Sequence, residues 1–146
     1  MAGPEQPSDE PAAQPDGATL ARGWLENSPF VAHPGIRLEQ MEPDRARLAM
    51  PFSDSLPTMG EVVHGGAISS LVDTAAAAAA WSGAEVPEKI RASTVGISVE
   101  FLAPARGTGV VADARVLRRG AITFLAVDVT DEGGQQVATA LVTYRL

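Results

Sequence analysis

The most constraining feature of this chain is a long segment, residues 64–81, in which Asp73 is the single side chain bearing a formal charge. It begins with His64-Gly65-Gly66 and then consists largely of alanine and other good helix formers up to Trp81. On a helical wheel, one side carries the larger apolar residues and the other carries only small residues and Asp73. A helix without a polar face is buried all round. We therefore expect its second side to face a partner subunit or a ligand channel.

Asp73 would lie on that enclosed side, where a carboxylate needs a polar partner and becomes a candidate for chemistry. A hydrogen-bonded interface aspartate is the alternative. The paired glycines Gly65 and Gly66 stand where the helix begins, and free backbone N–H groups there can hold an anion or an oxyanion. A plain loop-to-helix turn is the alternative for the glycines. His64 could orient a loop, a substrate carbonyl or water.

The spacing between these candidates bears on how they could act together. Gly66 and Asp73 are seven residues apart, which places them on one helix face but about 10 Å apart along its axis. That separation is too long for both groups to act on one carbonyl. We therefore expect the carboxylate to serve the glycine turn of another subunit.

The order of the remaining elements predicts an α+β domain. Residues 1–17 are acidic and proline-rich and are expected to form a disordered tail, and residues 18–146 to form the domain. A short helix over residues 19–27 is expected to stop at Ser28-Pro29. A hairpin, a loop over residues 53–60 and the central helix come next, and four hairpin-linked strands complete the chain. The predicted strands are residues 35–41, 45–52, 93–103, 108–118, 121–130 and 135–145. An antiparallel sheet with the helix on one face follows from this order.

Composition excludes several classes of protein. Cysteine is absent, so neither a disulfide framework nor a thiolate nucleophile is available. The net charge of -7 argues against a nucleic-acid partner. No secretory signal or membrane-spanning stretch is visible. These features favour a soluble, cytoplasmic protein without a metal or a separate cofactor.

The motif HGGAISSLVDTA, residues 64–75, resembles the signature of hotdog-fold acyl-CoA thioesterases of the phenylacetate-degradation (PaaI-like) family. Residues 94–104 (TVGISVEFLAP) resemble the family's strand after the helix, and residues 110–146 resemble its last three strands. The resemblance implies a hotdog fold, an antiparallel sheet wrapped around a long central helix. It also implies paired subunits, a homotetramer built from two dimers, and active sites at the dimer interface.

The resemblance implies a role for each candidate. The Gly65 N–H, beside Gly66 and His64, would polarise the thioester carbonyl, and Asp73 of the adjacent subunit would attack it or activate water. Thr94 would help to place that water or carboxylate. Its strand neighbours Gly96 and Ser98 are expected to share its face and to border a channel.

Substrate contacts are also implied. Thr58 stands where several relatives carry an Asn or Gln, so its hydroxyl could replace the hydrogen bond of that amide. Coenzyme A, as part of the substrate, has a phosphate-rich end, and the arginines beside predicted strand ends are candidate contacts. These arginines are Arg106, Arg118 and Arg119.

Two other functions remain open at this point. A non-catalytic acyl-CoA-binding or sensing module uses the same fold, and so does a hydratase or dehydratase acting on acyl thioesters. The acyl group is not determined either, and aryl, medium-chain and long-chain acids all fit. Four large side chains could line an acyl pocket or belong to the core: Phe52, Met59, Trp81 and Phe101.

Overall fold

The computed structural model describes residues 15–146, together with Gly3 and Ala13. Of the predicted tail, residues 1–17, the described residues are Gly3, Ala13 and residues 15–17, and Gly17 already belongs to the first helix. The rest of the predicted tail lies outside the described residues. In chain order the elements are α1 (Gly17–Asn27), α2 (Pro29–Ala32), β1 (Arg37–Glu42), β2 (Arg45–Met50), β3 (Pro57–Met59), β4 (Val62–Val63), α3 (Gly65–Ser82), β5 (Ser93–Phe101), β6 (Val110–Arg118), β7 (Ile122–Asp131) and β8 (Gln136–Arg145).

Six of the strands form one antiparallel sheet in the order β1-β2-β6-β7-β8-β5. Helix α3 lies across one face of this sheet and touches every strand in it. The predicted α+β hotdog architecture, a sheet wrapped around a long central helix, is therefore confirmed.

The centre of α3 is unusually small in side-chain volume. Five alanines, at positions 75, 76, 78, 79 and 80, are completely buried. They bring the helix backbone close to the sheet, where Leu48, Leu125 and Val127 are also completely buried. Because protein interiors are close-packed, enlarging any of these buried alanines would cost about 1–3 kcal/mol.

Helix α1 is fixed against the last turn of α3. Asp16 caps it by accepting a hydrogen bond from the Thr19 N–H at 2.8 Å, and this bond lowers the pKa of Asp16. A β-carbon at Gly17 would stand 2.1 Å from the Trp81 carbonyl oxygen, so only glycine fits there. Ala21 and Leu25 continue the buried face of α1.

Three short elements, α2, β3 and β4, were not predicted. After Ser28 the chain starts a second helix, α2, in which Pro29 occupies the first turn and the Ser28 hydroxyl accepts from the Val31 N–H. The predicted loop over residues 53–60 contains β3, which pairs with β4. Such short elements carry too few residues to show a hydrophobic period.

The expected common face of Thr94, Gly96 and Ser98 is wrong. The register of β5 shifts at Val95, where Thr94 pairs with Tyr144 and Gly96 pairs with Thr143. A bulge of one residue reverses the side-chain alternation beyond it. Thr94 therefore faces α3, whereas Gly96 and Ser98 lie on the opposite face of the sheet.

Candidate active site

Asp73 projects from the middle of α3 and is half-buried. Its Oδ1 accepts a hydrogen bond of 2.6 Å from the Thr94 hydroxyl. Thr94 reaches the carboxylate because its pairing with Tyr144 turns it towards the helix, ahead of the bulge. The structure thus brings together two of the predicted catalytic residues and orients the carboxylate.

Tyr144 adds a second polar group that sequence reasoning missed. Its hydroxyl accepts a hydrogen bond of 3.2 Å from the Trp81 indole N–H, and its side chain is buried. Burial raises the pKa of Tyr144; the Trp81 hydrogen bond opposes this rise and the nearby charge of Asp73 adds to it. The one signal in the sequence was its inward position in the alternation of β8.

These groups line a pocket of about 450 Å³ that is open on one side, here called the Asp73 pocket. Asp73, Thr94 and Tyr144 supply its polar groups, together with Ser93. The rest of the lining is apolar and comes from α1, α3 and the segment after α3: Leu20, Trp24, Ala77, Trp81, Ile90 and Ala92. A carboxylate at the side of an apolar pocket suits a ligand whose apolar part fills the pocket and whose reacting polar group lies beside the carboxylate.

The glycine turn lies at the start of α3. His64 is its N-cap, and its Nδ1 accepts a hydrogen bond of 2.7 Å from the Gly66 N–H. Nδ1 can accept this bond only when it carries no proton. The Gly66 N–H is thus used inside the turn, which contradicts the expectation that both glycine N–H groups are available. Within the described part of the chain, the hydrogen bonds leave the Gly65 N–H without an acceptor.

Gly65 lines a second depression of about 370 Å³, here called the Gly65 groove. Thr58 lies in the same groove, so the structure places this predicted contact beside the turn. The Phe101 ring packs against Gly65, where an added β-carbon would stand 3.1 Å from the ring. The Gly65 groove and the Asp73 pocket share no residue, so Asp73 does not line the same depression as the glycine turn of its own chain.

The three predicted arginines differ in their surroundings. Arg119 donates to the Ala80 carbonyl at 3.0 Å and forms an ion pair with Asp44, so its guanidinium binds the C-terminal end of α3. Arg118 is exposed at the end of β6. Arg106 is exposed next to Ala105, which lines the Gly65 groove. Arg106 is therefore the predicted contact that lies beside the glycine turn.

The four candidate acyl-pocket residues are also separated. Trp81 lines the Asp73 pocket and Phe101 lines the Gly65 groove. Phe52 and Met59 line a third, polar depression.

In residues 15–146, no group of three His, Asp or Glu side chains is placed to hold a metal ion. Among the helices that the structure describes, none is long and apolar enough to cross a membrane.

A six-stranded sheet around a buried helix, with a single carboxylate on that helix held by a threonine, defines a hotdog-fold protein of the thioesterase type. The sequence profile of the thioesterase superfamily matches residues 60–138, just over half of the chain. The chain belongs to the thioesterase superfamily. The matched region contains Gly65, Asp73 and Thr94.

Individual relatives agree with this assignment. The medium/long-chain acyl-CoA thioesterase YigI of Escherichia coli K12 is 28% identical over 137 residues, which cover 83% of this chain and 87% of YigI. A thioesterase family protein from Silicibacter pomeroyi superposes with a TM-score of 0.80 at 28% identity, covering 88% and 96% of the two chains. The Escherichia coli PaaI protein from the phenylacetic acid degradation operon superposes with a TM-score of 0.77 at 23% identity, covering 88% and 92%.

Proposed function

We propose that this protein hydrolyses acyl-CoA thioesters to a free acid and coenzyme A, with Asp73 as the catalytic carboxylate. The observation that carries this proposal is the Thr94–Asp73 hydrogen bond at the side of an open apolar pocket. The similarity to YigI, an acyl-CoA thioesterase, supports the choice of substrate class.

The chemistry needs two groups at the thioester. One is a hydrogen-bond donor for the oxygen that becomes negative, and the unengaged Gly65 N–H at the positive end of α3 suits that role. The other is a carboxylate that attacks the carbonyl carbon or removes a proton from an attacking water. If the carboxylate activates water, the hydroxide adds to the carbonyl carbon, the carbon–sulfur bond breaks and the free acid forms directly. If the carboxylate attacks, the carbon–sulfur bond breaks as a mixed anhydride forms with Asp73, and water then hydrolyses the anhydride to the free acid and the carboxylate. In both routes the thiolate of coenzyme A takes up a proton.

The separation of the Asp73 pocket from the Gly65 groove supports a site shared by two subunits. In a homodimer, Gly65 of one subunit would cover the open side of the other subunit's Asp73 pocket. Thr58 and Arg106 would then lie beside the entering coenzyme A, since both lie in or next to the Gly65 groove. His64 would act by capping α3 and so holding the Gly65 N–H in place.

The direct test is thiol release from a panel of acyl- and aryl-CoA thioesters by the wild type, Asp73→Asn and Asp73→Ala. We expect both variants to lose about two orders of magnitude or more in kcat. Asp128→Asn is the matched control, because Asp128 also accepts a threonine hydroxyl, that of Thr139 at 2.9 Å, but lies on the outer face of the sheet. Binding without thiol release by the wild type would instead favour a sensing module.

A mixing experiment tests the shared site. Asp73→Asn and Gly65→Val would each be inactive, but refolding them together creates mixed dimers with one intact site. Random pairing should then restore about one quarter of wild-type activity. No recovery in a mixture shown to contain mixed dimers would place Asp73 and Gly65 of one chain in the same site.

A further inference from the structure

The aromatic residues of this chain are distributed unevenly. It contains two tryptophans and one tyrosine, and all three line the Asp73 pocket. Tryptophan and tyrosine supply large apolar surfaces and lose little conformational freedom on ordering. Their concentration beside one carboxylate indicates that the pocket recognises an apolar group.

The pocket extends along α3. Asp73, Ala77 and Trp81 follow one another at intervals of four residues, so they share a helix face, and the carboxylate and the indole lie about 12 Å apart along the axis. Ala77 leaves the space between them open. Trp81 is held in place by its hydrogen bond to Tyr144.

Helix α1 supplies another wall. Leu20 and Trp24 lie one turn apart on its flank and face the pocket, whereas Ala21 and Leu25 on the adjacent flank are buried in the core. The close approach of Gly17 to Trp81 fixes α1 against α3. The wall is therefore held by packing that is separate from the pocket surface itself.

We propose that α1 is the specificity wall of the acyl pocket: Leu20 and Trp24 confine the acyl group against Trp81 and thereby restrict its size. This inference rests on the proposed function. An apolar cavity of about 150 Å³ accommodates benzene, so the 450 Å³ of the Asp73 pocket accepts a group considerably larger than one ring. No basic side chain of the described residues lines the pocket, which favours uncharged acyl chains over those that end in a second carboxylate.

The test compares kcat/KM for butyryl-, decanoyl- and palmitoyl-CoA in two variants with opposite effects on volume. Trp24→Ala enlarges the pocket. It should raise kcat/KM for palmitoyl-CoA relative to that for butyryl-CoA by about tenfold or more, which is the usual scale of discrimination by a hydrophobic pocket. Ala77→Leu fills the pocket and should lower kcat/KM for decanoyl-CoA relative to that for butyryl-CoA by a similar factor. Phe30→Ala is the control, because Phe30 is a large exposed aromatic residue on α2 and does not line the pocket.

An unchanged chain-length profile in a folded Trp24→Ala variant that still hydrolyses these substrates would overturn the inference and leave the proposed function intact. If the wild type hydrolyses none of them, tryptophan fluorescence decides the inference, since both tryptophans line the pocket. An emission change with decanoyl-CoA that is absent with coenzyme A alone and lost in Ala77→Leu would support it. Equal emission with and without decanoyl-CoA would overturn it. Circular dichroism establishes that each variant is folded.

Discussion

The Thr94 hydroxyl donates a 2.6 Å hydrogen bond to Asp73 and so connects the start of β5 to the middle of α3. A hydrogen bond to a charged group contributes about 1.5–3 kcal/mol. If it orients the carboxylate for reaction, Thr94→Val should lower kcat by about tenfold or more with little change in KM, and Thr94→Ser should restore most of the loss. Equal kcat in Thr94→Val and the wild type, measured by thiol release, would show that the bond is only structural.

Gly65 and Phe101 offer a test that separates fit from chemistry. A β-carbon at Gly65 would stand 3.1 Å from the Phe101 ring, so Gly65→Ala should strain this contact. Phe101→Ala should relieve the strain in the double variant. We expect urea denaturation to show recovered stability while kcat stays low, because the added methyl still blocks approach to the Gly65 N–H. Recovery of kcat in the double variant would contradict that role.

His64 is expected to act through the helix terminus. Its Nδ1 accepts the Gly66 N–H, so His64→Ala should cost about 1 kcal/mol of unfolding free energy, the usual contribution of an N-cap. His64→Asn supplies another capping oxygen and should retain most of the stability and the activity. If His64→Asn is as stable as the wild type but inactive, the imidazole itself takes part in the reaction.

Tyr144 should ionise at a higher pH than an ordinary tyrosine, because burial raises its pKa above 10.0. As the one tyrosine of the chain, it gives an unambiguous phenolate absorbance signal. Asp73→Asn should lower the pKa by removing a negative charge, and Trp81→Phe should raise it by removing a donor. Tyr144 ionises at a lower pH in the unfolded chain than in the folded chain. Its contribution to the free energy of unfolding is therefore complete below about pH 10, and it is lost as pH rises through the pKa of Tyr144 in the folded chain. If Tyr144 in the folded protein titrates with the pKa of an ordinary tyrosine, its burial is contradicted.

The arginines should separate into two groups. Arg119→Gln removes bonds to Ala80 and Asp44 and should destabilise the fold by about 1–2 kcal/mol with an unchanged KM. Arg106→Gln should leave stability unchanged and raise KM for acyl-CoA several-fold, and this effect should weaken at high salt. If Arg119→Gln raises KM in a salt-dependent way and Arg106→Gln does not, Arg119 and not Arg106 is the contact to coenzyme A.

The fold was largely predictable because its main signals are long. The helix over Gly65–Ser82 has a composition that admits only a buried position, and the four strands after it are nine or ten residues each. The short β3 and β4 lacked such a signal. The bulge at Val95 depends on strand pairing that no local pattern records, and so the faces of Gly96 and Ser98 were predicted wrongly.

The candidate site was predictable in part for a similar reason. Asp73 stands out as the charged residue of an apolar segment, and Thr94 followed from the family resemblance. Tyr144 and Trp24 reach the same pocket from elements far from α3 in sequence, and such convergence is a property of the tertiary structure. The capture of the Gly66 N–H by His64 depends on a side-chain rotamer, which spacing does not encode.

The five buried alanines of α3 have an evolutionary consequence. A larger side chain at any of these positions would disturb the packing around α3, so this part of the core tolerates little variation. Helix α1 lies before the first strand, packs against α3 and takes no part in the sheet. With α1 as the proposed specificity wall, exchange of an N-terminal helix would alter substrate choice while the six-stranded sheet stays constant.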